Sequence, residues 1–124
     1  MEKGAMPLVN YLANRTFGFL LSFALNEDVR DALCGAKVFK RSDAIRMFEW
    51  LKLNHTGDPF GDFELIFSAK AQDLKLSSLA IPYKARRYGR SQINRWMGGL
   101  QLLKSYCLGC FYLYRNRVTQ PNVR

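Results

Sequence analysis

Four groups of residues carry side chains that could do chemistry. The first is Asp31-x-x-Cys34-Gly35-x-Lys37-x-Phe39-x-Arg41. Gly35 permits a tight turn, and one loop and strand would present a carboxylate and two cations. On a strand, Lys37 and Arg41 would share a face, which could equally be an ordinary solvated charge pair. The second group is Gly61-Asp62-Phe63-Glu64. Either carboxylate could serve as a general base. At a helix start both also suit the helix dipole, and spacing alone favours that role. The third group is Tyr83-x-x-Arg86-x-x-Gly89-x-Ser91. Arg86 and Arg87 can form charge-assisted bonds to phosphate oxygens, and Ser91 can add a hydroxyl. Gly89 lets the loop close over a ligand, so this reads as an anion-binding loop.

The fourth group is Cys107-Leu108-Gly109-Cys110. A zinc site would need two more ligands, with only His55 and Cys34 left to offer them. A redox motif would need a preceding strand. Both cysteines therefore read as packing residues, and His55, in a polar turn, reads as exposed and inert. The chain has no Asp-x-Asp pair, no GxxxxGK phosphate loop and no nucleophilic triad.

The elements that must position these residues follow from periodicity. Residues 8–25 read as a helix entered from Pro7, apolar on most of its circumference. Asn10, Asn14, Gly18 and Ser22 recur every four residues as one narrow polar or small stripe. Residues 29–35 read as a loop, and residues 36–40 alternate like a half-exposed strand. Ser42 is a candidate cap for a short helix from Asp43 to about Leu51. Residues 54–59 are dense in turn formers. Residues 62–71 read as a helix with an acidic start and a basic later turn. Leu74 to Tyr83 is the best strand candidate, with Pro82 at its edge or end. A second long apolar helix runs from Ile93 to about Tyr114, and residues 115–124 read as a flexible tail. The expected fold class is an α/β mixture with two strands, which make a poor sheet on their own.

Composition narrows the class. The chain has 124 residues, 48% hydrophobic, with 19 Lys+Arg against 10 Asp+Glu. Asp73 is the last carboxylate, and every one of the remaining charges is basic. Such a stretch attracts anions: nucleic acid, anionic lipid or a phosphate ligand. The hydrophobic content argues against a disordered basic tail. Three cysteines make no disulfide framework, which fits a reducing compartment. No secretory signal or secure membrane span is visible. The expected location is cytoplasmic and peripheral to a membrane.

The order and spacing of the first three groups resemble the C-terminal half of family-two glycosyltransferases, closest to the dolichol-phosphate mannosyltransferase-like branch. The matched stretches are Asp31–Arg41, Phe60-Gly61-Asp62-Phe63-Glu64-Leu65, Ile81-Pro82-Tyr83 and the loop to Ser91. The resemblance covers about residues 1–114. It implies part of a sugar-nucleotide-binding GT-A domain. That part lacks the Asp-x-Asp half, which binds a divalent metal (Mg or Mn) and the diphosphate. The chain alone would bind no cofactor, and no metal site is expected in it. The implied activity is transfer of a sugar from a nucleotide sugar to a polyprenyl-phosphate or glycan acceptor. The implied catalytic residues are Asp62, Glu64 and Arg86. The implied substrate contacts are Asp31, Lys37, Arg86, Gly89 and Ser91. Helix 8–25 resembles an interface helix lying on the membrane. Implied partners are a lipid-linked or glycan acceptor and an N-terminal companion half or a second copy, with no nucleic acid. The alternative is a small basic membrane- or RNA-binding module without catalysis.

Overall fold

The computed structural model describes residues 8–79 and 95–119. Four helices order them: α1 (Leu8–Leu25), α2 (Arg41–Leu53), α3 (Asp62–Ala71) and α4 (Arg95–Thr119). No strand occurs among the described residues. This all-helical arrangement overturns the expected α/β, GT-A-like fold class. Residues 36–40 and 74–79, both expected as strand, are irregular. A strand needs a neighbour to take its backbone hydrogen bonds. Here no ladder joins the two segments, and the second is tied instead to residues 28–30 through one hydroxyl. Ser78 Oγ accepts from the Arg30 N–H at 3.3 Å and donates to the Asp28 carbonyl at 2.9 Å. The remainder of the second strand, from Ala80 to Tyr83, lies outside the described residues.

The helices α1 and α3 keep the expected bounds. The α2 helix begins earlier than expected, with Lys40 as its N-cap and no side-chain cap, so Ser42 does not cap it. The α4 helix runs past Tyr114 to Thr119.

The core is built around α3. Seven of its ten residues are buried, because α2 packs on one side and α4 on another. Phe17, Leu21 and Leu25 of α1 join Phe63, Ile66 and Phe67 of α3 and Leu102 and Leu113 of α4. Phe17 meets Phe63 edge to face at 5.3 Å. The closest approach is at Gly109, where a Cβ would stand 2.3 Å from the Phe67 ring. Only a glycine lets α4 come down on that ring. Tyr106 of α4 donates to the Leu20 carbonyl of α1 at 3.2 Å, and burial pushes its phenol up to about 12.

Lys70, in the last turn of α3, donates to Glu27 at 2.7 Å, just beyond α1. That hydrogen bond holds the Glu27 carboxyl below its usual range, against the opposing push of burial. Outside the core, Leu8, Leu12, Phe19 and Phe23 leave an apolar outer face on α1. No helix among the described residues is long and apolar enough to cross a membrane.

Two outcomes follow from this packing. An alanine ordinarily favours a helix over glycine by about 1 kcal/mol, but in Gly109→Ala the clash with Phe67 should reverse the sign. The expected net loss is about 1–2 kcal/mol in urea unfolding. Glu27 should contribute its full stabilisation above the ordinary carboxylate range and lose it as pH falls through its lower folded value. Acid unfolding followed by circular dichroism should begin at higher pH in Glu27→Gln, because that part of the stability is already missing at neutral pH.

Candidate functional site

The polar stripe on α1 binds a stretch of backbone. Asn14 Oδ1 accepts from the N–H groups of Ala32 (3.0 Å) and Leu33 (3.2 Å), and its Nδ2 donates to Asp31 Oδ1 at 2.9 Å. One turn on, Gly18 leaves room for the Val29 carbonyl oxygen, which would stand 2.9 Å from a Cβ. A further turn on, Ser22 Oγ accepts from Val29 N at 2.9 Å and donates to Val29 O at 3.2 Å. Residues 29–33 have no helix or ladder to satisfy their polar groups, so α1 side chains do it. Val29 and Ala32 are thereby held in the core.

Beyond this clasp the chain delivers Lys37 to the start of α3. Lys37 Nζ donates to Asp62 Oδ1 and to the Cys34 carbonyl, the latter at 2.6 Å. The pair is nearly enclosed, with side chains 18% and 11% exposed. Asp62 Oδ2 accepts no hydrogen bond among the described residues.

Around the same helix end runs the loop of residues 54–60. Gly61, the N-cap of α3, has φ +73° and no capping side chain. Asp58 caps from outside, its Oδ2 accepting from Phe63 N at 2.7 Å and its Oδ1 from Phe60 N at 3.0 Å. Glu64 reaches back to the loop. Its Oε1 accepts from Thr56 N (2.7 Å), Thr56 Oγ1 (3.0 Å) and Gly57 N (3.1 Å). His55 Nδ1 lies 2.7 Å from the same oxygen. On its other side the loop is tied to α4, where Arg115 donates to Asn54 Oδ1 at 2.6 Å.

The expected site residues therefore divide. Lys37 and Asp62 come together. Glu64 secures the loop. Asp31 is exposed and engaged with Asn14 and the Leu33 N–H at 3.2 Å. Lys37 and Arg41 do not share a strand face, because Arg41 opens α2. Arg86, Gly89 and Ser91 lie outside the described residues. Cys110 packs partly against the core, and burial pushes its thiol up, whereas Cys107 is exposed rather than packed. His55 is exposed, as expected, with its Nδ1 2.7 Å from the Glu64 carboxylate. No group of three His, Cys, Asp or Glu among the described residues could hold a metal ion. A cleft of about 310 Å³ lined by Arg46, Lys70, Asp73, Leu113, Asn116 and Arg117 contains none of the expected site residues.

Sequence reasoning did not foresee what Asn14 and Asp58 would hold. The signal for Asp58 was present in Asp58-Pro59-Phe60, an Asx turn placed to cap the helix that follows. No family model matches this chain, and no curated protein or solved structure matches it either.

Replacing Glu64 tests the loop anchor. Glu64→Ala would strand the buried Thr56 N–H and the Gly57 N–H without an acceptor. The expected cost is about 2–3 kcal/mol, with amide exchange at Thr56 and Gly57 accelerated before that of α4.

Proposed function

We propose that this chain is the acceptor-side part of a glycosyltransferase. The activity would move a sugar from a nucleotide sugar to a polyprenyl-phosphate or glycan acceptor. The observation that carries this reading is the Lys37–Asp62 pair. Two segments far apart in sequence, each matched on its own in the resemblance, supply one polar pair. It is sheltered enough for its charges to act in a low dielectric. The unengaged Asp62 oxygen can accept a hydrogen bond from an acceptor, and Lys37 holds the carboxylate in place. Arg86, with Gly89 and Ser91, would meet the diphosphate and offset charge as it leaves. The divalent metal would come with the Asp-x-Asp half, and no step assigned to this chain runs through it. The exposed apolar face of α1 supports a peripheral seat on a membrane.

The experiment is a binding titration of the chain with nucleoside diphosphates, beside a transfer assay. The chain should bind one diphosphate weakly and turn over no nucleotide sugar unaided. Arg86→Ala should weaken binding roughly tenfold, the loss of one charge-assisted contact. Turnover by the chain alone would overturn the incomplete-site part of the proposal. Salt-sensitive capture of RNA or anionic vesicles with no diphosphate binding would favour the non-catalytic module instead.

A further inference from the structure

The α4 helix is apolar on two opposite faces. One face, through Leu102, Ser105, Gly109 and Leu113, is buried where α4 packs on α3 and α1. The other points away from the core. On it Met97, Leu100, Phe111, Tyr114 and Val118 are each more than half exposed, and Cys107 is exposed as well. Together with Lys104, also exposed, they recur in alternating steps of three and four residues from position 97 to position 118. That is the a and d spacing of a coiled-coil seam, a narrower stripe than the apolar face of an ordinary surface helix. Gln101 and Arg115 flank the seam on one side and Arg117 on the other. The buried face fixes the helix, so the seam is presented ready-made and little ordering is left for a partner to drive.

Charge decides what fits there. Lys104 is the one charged residue inside the seam, and among the described residues it has no ion pair. Covering it with an apolar surface would strand a cation, so the covering surface must bring an anion. No residue after Asp73 is acidic, so the segments on either side of α4 have none to offer. A second copy would bring the same cations. Every described carboxylate except Asp73 already pairs or accepts a hydrogen bond within its own chain. We propose that the outer face of α4 docks an amphipathic helix of an acidic partner protein. The two helices pack as a coiled coil, with a partner carboxylate opposite Lys104 and acidic residues along the flanks facing Arg115 and Arg117. This goes beyond the glycosyltransferase reading and does not depend on it.

The test titrates the full chain with labelled synthetic helices, read by fluorescence anisotropy at physiological salt. The probe has about three heptads, with leucine at a and d, one glutamate within the seam and glutamate at e and g. One control replaces its glutamates by lysine, and the other scrambles its order. The probe should bind at least roughly tenfold tighter than either control, because like charges facing across a helix pair are strongly disfavoured. Phe111→Ser should weaken it roughly tenfold or more by removing buried aromatic area. Lys104→Glu should narrow the preference for the acidic probe over the lysine control, and Phe23→Ser on α1 should leave binding unchanged. Equal binding of the scrambled peptide would reduce the effect to charge attraction alone and overturn the proposal, as would no binding at all. Self-association of the chain that Phe111→Ser abolishes would overturn it in favour of a second copy. Capture by vesicles of phosphatidylcholine and phosphatidylserine that Phe111→Ser abolishes, with the probe unbound, would overturn it in favour of a membrane.

Discussion

Everything at the candidate site depends on how a stretch of irregular backbone is kept in the interior. Residues 29–33 have no ladder or helix of their own, yet they bury Val29 and Ala32 while Arg30 and Asp31 stay exposed, and buried amides left unpaired would be costly. Asn14 and Ser22 take up those amides, and Gly18 makes the approach close enough for them to reach. With that stretch anchored, Lys37 arrives beside Asp62 and closes the near side of the α3 terminus. Without it, Val29 and Ala32 would leave the core and the Lys37–Asp62 pair would have no fixed origin.

The α3 helix then acts as the hub. It is short, and its burial leaves it little polar surface, so its first turn must have its N–H groups satisfied by the chain around it. Asp58 does this from outside the helix, and Glu64 returns the favour to the loop by accepting its N–H groups. The two carboxylates take different roles, where spacing alone favoured the helix dipole for both. Glu64, the residue closer to the resemblance, is largely a structural anchor with one exposed ring attached to it. Among the described residues, Asp62 Oδ2 and Glu64 Oε2 alike accept no hydrogen bond, and Asp62 is the one paired with a cation, Lys37.

The sequence made the helices legible and the rest less so, for physical reasons. Residues 8–25 and 62–71 were readable because their periodicity and the turn formers around them are local signals. Residues 36–40 and 74–79 carry strand-like alternation, but pairing is a property of two segments, and alternation in one cannot supply the other. The four-residue stripe on α1 was visible, yet its purpose was not, since nothing in the stripe says which backbone it will meet. The Lys37–Asp62 contact was legible only as two separate motifs. The exposure of His55 was legible from its polar turn, whereas the approach of the Glu64 carboxylate to its ring was not, because that carboxylate comes from the next helix.

The α1 clasp has a consequence for how this chain can change over time. Its three contact points sit at a common angle on the helix because they are four residues apart. Replacing an outward residue such as Phe19 or Phe23 leaves that angle alone. Inserting or deleting a single residue between Asn14 and Ser22 turns one end of the helix by about 100° against the other. Asn14 and Ser22 could then no longer hold the same backbone. The helix should drift freely in composition along its outer side while its length between those two residues stays frozen.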